Sequence, residues 1–266
     1  MFNLIKMNLY RMTHAVSTWV IAIVTVLYAF LQFGALKLMM DDPLHMFDGG
    51  AVSILGMDNV TGIDTVTNFL QNSNVLIIFA VFVVIFANAE QKCGFDKNII
   101  GITQYRWKHT VARWLSAVIG VTALILLGYG IMFGLSALFI NHFTLGSVAA
   151  IARSFGLMYM GMVAFSAVFF FFTTLFKSSA GGIVASLVIS LGILNLIEKL
   201  LDLLTKKFIS NPRFLPSDFF FDNAYMTFDH AGAGTKAILG FVAICAVYAI
   251  VSMGASMLLQ QRRDVK

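Results

Sequence analysis

The chain has 266 residues, of which 59% are hydrophobic and only 12% charged, with a mean hydropathy of +0.86. A soluble domain carries about 25% charged residues, so a water-soluble globular protein is excluded and an integral membrane protein is indicated. The net charge of +5 does not point to nucleic acid, because the cations flank apolar runs instead of forming a patch, the arrangement that orients a membrane protein.

Residues 1–14 place Phe2, Ile5, Leu9 and Met12 at helical spacing among Lys6, Arg11 and His14. This pattern predicts an elbow helix lying in the cytoplasmic interface with its cations toward phosphates; the alternative is a basic leader that only sets orientation. Residues 16–38 form the first predicted span, since about 20 apolar residues at 1.5 Å each cross a hydrocarbon core of ~30 Å. The run exceeds the usual h-region and lacks a small-residue cleavage site, so it is expected to remain as an anchor. Trp19 is expected at the inner interface.

Met40 to Asn74 holds Asp41, Asp42, Asp48, Asp58 and Asp64 without Lys or Arg, as a translocated loop does. The sequon at Asn59 is a chance-level motif. The second span is predicted over 67–89: its apolar run, Val75 to Ala89, is short, but its aliphatic and Phe residues favour insertion by roughly 0.3 to 0.6 kcal/mol each. Residues 90–109 form a cytoplasmic polar loop, and 110–140 the third span, with Gly130 and Gly134 as a small-residue packing face. The fourth span, 154–176, carries Phe165, Phe169 to Phe172 and Phe176, expected to face lipid, and Lys177 marks its inner end. The fifth, 182–200, has a packing seam of Gly182, Ser186 and Ser190. Residues 201–236 are an outer, possible re-entrant segment rich in Phe, within which Asp202 and Lys206 stand one helical turn apart. The sixth span is 237–259.

This plan puts eleven of the 18 Lys and Arg residues inside (Lys6, Arg11, Lys92, Lys97, Arg106, Lys108, Arg113, Lys177, Arg262, Arg263 and Lys266) and ten of the 13 acids outside. The positive-inside rule therefore supports an all-α polytopic protein of six transmembrane helices with both termini cytoplasmic. Cys93 and Cys245 then lie in a loop and in a span, and are not expected to pair.

Chemistry is scarce. Burying a charge at membrane depth costs at least ~2.5 kcal/mol, and no predicted span has an acid or His in its middle third. Neither the midplane carboxylates nor the broken helices of ion-coupled carriers are evident. Asn195 is the main deep polar group, a helix-to-helix hydrogen bond or, less favoured, a contact on the substrate path. The five His residues, at 14, 45, 109, 142 and 230, have no metal-ligand spacing. Gly232-Ala233-Gly234-Thr235-Lys236 is no phosphate-binding loop in its order or its place. No catalytic residue, metal or cofactor of this chain is expected, and any nucleotide belongs to another chain.

What remains is the basic island from Asn88 to Arg113. Phe95, Ile99 and Ile102 fall on one helical face beside Asp96, Lys97 and Asn98, as a helix docking in a partner groove would place them; periodicity leaves a solvated loop equally open. The order Glu90, Gly94, Lys97, Arg106, Arg113 resembles the signature after the second helix in the transmembrane subunits of type-two ABC exporters: an acid, a glycine four residues on, a charged residue seven on, a basic residue sixteen on and another seven later. Phe95 stands where that family often has threonine, and Thr103 and Tyr105 where proline and serine are usual. The family plan of elbow helix, six spans, cytoplasmic loop after helix two and long outer segment before helix six is similar to the whole chain.

The resemblance implies a permease subunit in a homo- or heterodimer, bound to two cytoplasmic ABC ATPase subunits that hold ATP and Mg. Residues 90–109 would be the coupling helix, using Glu90, Gly94, Phe95, Lys97, Ile99, Ile102, Arg106 and Arg113, and the cargo would be an amphipathic or hydrophobic solute such as a peptide, lipid or drug. Small permeases of bacterial peptide-export and bacteriocin self-protection systems are the nearest analogy, which implies a bacterial cell membrane. A nucleotide-independent carrier or channel, and a non-transporting sensor or anchor, are the alternatives.

Overall fold

A computed structural model of the chain describes residues 1–41, 60–92, 106–140, 143–208 and 215–262. It is helical almost throughout. Helix α1 (Phe2–His14) ends where Ala15 takes an extended conformation, and the chain turns there into α2 (Val16–Asp41). Strand β1 (Val60–Thr61) leads into α3 (Gly62–Leu70). The start of α3 is fixed by a capping box, in which Thr61 and Asp64 satisfy each other's backbone N–H groups. Then follow α4 (Ser73–Lys92), α5 (Arg106–Phe139), the two-residue strand β2 (Phe143–Thr144) and α6 (Val148–Phe176). β1 and β2 pair in parallel, Val60 with Phe143 and Thr61 with Thr144, and tie two loops together.

Helix α6 stops at Lys177, a non-glycine residue in the left-handed region with φ +52°. The chain then forms α7 (Ser179–Ser190), α8 (Leu194–Phe208), a 3-10 turn (Pro216–Phe219), α9 (Phe221–Thr227) and α10 (Thr235–Arg262).

Four of these helices, α2, α5, α6 and α10, are each long and apolar enough to cross a membrane. Two further crossings are made if α3 with α4 and α7 with α8 each count as one span, bent by 53° and 52°. The surface agrees with a bilayer setting: α2 turns Val20, Ile23, Leu27 and Leu31 outward, and α10 turns Leu239, Val247, Ile250 and Val251 outward. An apolar surface of that extent needs hydrocarbon around it.

The breaks depart from the straight predicted spans 67–89 and 182–200. At Gln71 and Asn72 two polar residues interrupt the apolar run, and the helix restarts at Ser73. At Leu191 to Ile193 the chain turns through Gly192, whose φ of +68° is readily adopted only by glycine. Helix α7 alone, at 12 residues, is ~18 Å long and cannot cross ~30 Å of hydrocarbon by itself.

Helix α4 is packed against α2, α5, α6 and α7. Its buried Phe79, Phe82 and Val83 join Phe165, Phe169 and Phe170 of α6 in one core. Phe165, Phe169 and Phe170 thus correct the expectation of a lipid-facing cluster, whereas Phe171 and Phe172 are half-buried. Phe165, Phe169 and Phe170 are fully buried, and only Phe176 at the helix end is exposed. Their aromatic area is better used between helices, where rings stack and interlock, than against acyl chains.

Candidate functional site

Between α8 and α10 the chain does not stay at the outer surface. Phe219 accepts a hydrogen bond on its carbonyl from the Tyr248 hydroxyl at 3.1 Å, and the Phe221 ring stacks on Tyr248 at 5.3 Å. Tyr248 stands near the middle of α10, ~20 Å along the axis from Thr235 at 1.5 Å per residue. Phe221 also meets Phe165 of α6 at 4.3 Å. The 3-10 turn and α9 therefore form a re-entrant segment whose tip reaches mid-height of the bundle. Irregular backbone is tolerated at such depth when protein covers it and pairs its polar groups.

The pairing comes largely from the break between α3 and α4. Gln71 donates through Nε2 to the carbonyls of Tyr225 and Met226, each at 2.8 Å, and Phe228 at 3.2 Å. Tyr225, fully buried, returns a hydrogen bond from its hydroxyl to the Leu70 carbonyl at 2.7 Å. That carbonyl sits in the last turn of α3, where no intrahelical donor reaches it. Tyr225 fits because residue 161 of α6 is glycine: a Cβ there would lie 2.3 Å from the ring. Further out, Phe228 stacks on Phe241 at 4.4 Å and His230 Nε2 meets Thr67 Oγ1 at 3.1 Å. Burial holds the His230 imidazole below its ordinary value, against the opposing pull of Asp229 and Asp64.

On its other side the re-entrant segment meets α8, and here the helix is inverted. Leu196, Leu200 and Leu203 face outward, Leu200 being 59% exposed, while Glu198 is only 2% exposed and Asp222 of α9 only 5%. Glu198 lies within hydrogen-bonding reach of Asp222, and Tyr248 is close enough to feel both charges. One turn on, Asp202 accepts the Ser217 backbone N–H at 3.0 Å. Asp202, which stands one turn from Lys206 as expected and feels its charge, also fastens the re-entrant segment. Two carboxyl groups this close bond to each other only through a proton held by one of them. Glu198 Oε1 and Asp222 Oδ2 are buried without a hydrogen-bond donor among the described residues. The pair lies at the end of predicted span 182–200 and in the segment that follows it, and the bends of 53° and 52° depart from the expectation of unbroken helices.

The residues singled out in the sequence are placed as follows. Gly94, Phe95, Lys97, Ile99 and Ile102 lie outside the described residues, as do Cys93, Asn59 and His45. Glu90 falls in the last turns of α4, and Arg106 opens α5. Arg113 is buried, its guanidinium over the Phe170 ring at 5.1 Å, so it joins α5 to α6. Close by in sequence, Asn88 donates to Ser179 Oγ at 2.8 Å, and Thr110 donates to Gln260.

Gly182 packs on Val84 and Thr173, and Ser186 and Ser190 are buried on the same side of α7. Among the described residues outside their own helix backbone, nothing lies within 4 Å of a Cβ position at Gly130 or Gly134. The amide of Asn195 folds back beside Gly192 at the break. Among the described residues no group of His, Cys, Asp and Glu could hold a metal ion.

Sequence reasoning missed Gln71, Gly161, Glu198, Asp222 and Tyr225. The polar pair at 71 and 72 and the glycine at 192 were available signals for the two breaks. In comparisons with known proteins, no family model matches the chain and no curated protein is significantly similar to it.

Proposed function

We propose that the chain is the membrane subunit of an exporter for an amphipathic or hydrophobic solute, driven by a separate ATP-binding protein acting on residues 90–109. The observation that carries this reading is helix α4. It is a continuous helix of 20 residues, ~30 Å long, with the 93–105 island at one end and Gln71, which holds the re-entrant segment, beside the other. A push on the island would travel along this buried rod to the segment that fills the outer half of the bundle. The apolar crossings, the amphipathic N-terminal helix and the spacing from Glu90 to Arg113 support the same reading. ATP and Mg would be held by the partner, and this chain would hydrolyse nothing.

Co-purification tests it. Ile99→Asp with Ile102→Asp is expected to leave a folded, inserted protein that no longer retains an ATP-binding partner. Normal retention of that partner by the double variant would sink the proposal.

A nucleotide-independent carrier is the second reading, and the Glu198 and Asp222 pair between the bent α7–α8 span and α9 favours it. Proton uptake by a buried carboxyl pair is how a carrier can couple to a proton gradient. Purified chain in proteoliposomes, given a proton gradient and no ATPase, separates the two: solute movement abolished by Glu198→Gln supports the carrier.

A further inference from the structure

Where α1 turns into α2, a cleft of about 250 Å³ opens against the C-terminal half of α4. Its mouth is polar, with Arg11, His14 and Ser17, and its bed is apolar, with Ile21, Phe82 and Phe86. The Phe82 and Phe86 rings lie nearly parallel, 11° apart in plane and 6.1 Å between centroids, and make the bed flat. His14 is oriented: its Nδ1 is 2.8 Å from the Tyr10 carbonyl and 3.1 Å from Thr13 Oγ1. Nε2 is then the nitrogen left to reach a ligand, and in the imidazolium form it is a donor. The Ser17 hydroxyl has no hydrogen-bond partner among the described residues. Beyond Ile21, α2 turns Val20, Ile23 and Val24 outward, so the bed continues into a face that needs hydrocarbon.

We propose that this cleft binds one anionic phospholipid from the leaflet on which α1 lies, with its phosphate at Arg11, His14 and Ser17 and one acyl chain against Ile21, Phe82 and Phe86. Charge and shape together select that occupant. An anion is attracted by the positive charge of Arg11, whatever other bonds Arg11 makes, and a charge-assisted hydrogen bond is about twice as strong as a neutral one. A soluble anion would use the mouth and leave the apolar bed to water. A zwitterionic lipid would bring its own cation against the two basic side chains. The site would also pin the hinge at Ala15, because its walls come from helices on both sides of that residue.

Native mass spectrometry of the detergent-purified chain, titrated with phosphatidylglycerol or phosphatidylcholine of identical acyl chains, tests the proposal. The first phosphatidylglycerol is expected to bind about tenfold more tightly than the first phosphatidylcholine. Arg11→Gln with His14→Gln should reduce it to the phosphatidylcholine level, and Ser17→Phe, which fills the cleft, should remove that binding step for both lipids. Equal affinities, or a folded double variant that keeps the preference, overturn the proposal. Displacement of the lipid by millimolar inorganic phosphate overturns it too, and marks a site for soluble anions.

If the double variant does not yield a monodisperse protein, wild type and Ser17→Phe decide by fluorescence. Trp19 is anchored at the elbow, its Nε1 donating to the Thr13 carbonyl at 2.8 Å. Brominated phosphatidylglycerol should quench it more than brominated phosphatidylcholine in the wild type, and equally in Ser17→Phe. Equal quenching in the wild type overturns the assignment.

Discussion

Gly161→Ala is the most discriminating perturbation of the re-entrant segment. The new methyl carbon would lie 2.3 and 2.4 Å from two ring carbons of Tyr225, where optimal carbon contacts are about 3.5 to 4.0 Å. The ring has little freedom to withdraw: its hydroxyl is held by Leu70, and Phe165 lies edge-on at 5.2 Å. Overpacking of this kind costs about 1 to 3 kcal/mol, and a lost Tyr225 hydrogen bond adds roughly 0.5 to 1.5 kcal/mol. Replacing a mid-helix glycine by alanine returns about 0.5 to 1 kcal/mol, which leaves a net loss of roughly 1 to 3 kcal/mol.

Gly156 is the matched control, five residues earlier on the same helix, and among the described residues nothing outside its own helix backbone lies within 4 Å of its Cβ position. Gly156→Ala should show only the helix-propensity gain. Thermal unfolding in detergent, followed by tryptophan fluorescence, should separate the two variants by about 5 °C or more, at roughly 2 to 4 °C per kcal/mol for chains of this size. Adding Tyr225→Ala to Gly161→Ala should cost less than the sum of the two single changes, because the clash is then gone. Gly161→Ala unfolding together with Gly156→Ala would refute the close approach of the Tyr225 ring to α6.

The carboxyl pair makes a second prediction. Glu198→Gln retains a donor for Asp222 and should unfold near the wild-type temperature, whereas Glu198→Ala strands a buried carboxylate and should lose about 1 to 3 kcal/mol; thermal unfolding of both variants checks it. Gln71→Leu removes the donor shared by three carbonyls, and limited proteolysis should then cut the 216–230 segment faster than in wild type. His230 predicts a pH effect. Its native imidazole is held below the ordinary 6.5 by burial, so its contribution to stability is complete above that value and is lost as pH falls through the native one. The unfolding temperature of the wild type should therefore fall between about pH 7 and pH 5, with a shallower slope in His230→Gln.

The helices α2, α5, α6 and α10 were legible because uninterrupted apolar runs of this length have few other uses, and the N-terminal helix because its cations recur on one side of an apolar stripe. Helix α8 was misjudged for a physical reason. Its amphipathic pattern, with Glu198 and Asp202 opposite Leu196, Leu200 and Leu203, reads in water as a helix whose acids face solvent. Beside lipid the same pattern works in reverse, and the acids turn inward to Asp222 and Ser217. The phenylalanines of α6 were misplaced similarly, since hydropathy does not distinguish a lipid-facing ring from one locked between helices. Gln71 was illegible because its three acceptors lie more than 150 residues away in sequence, and nothing local announces them. Most of the coupling residues named in the sequence lie outside the described residues, and of the set only Arg113 is seen in side-chain contact, against Phe170.

The seating of Tyr225 bears on the route a solute could take. Phe69, Phe165 and Tyr225 are fully buried, with Phe221 almost so, and they occupy the middle of the bundle where a conduit through one chain would have to run. In the exporter proposed above, an aromatic stopper of this kind would close the described bundle along its own axis. Cargo would have to slide along the outside of the bundle, past the exposed flanks of α2 or α10, and a lane closed to lipid would need a second protein surface to form its other wall.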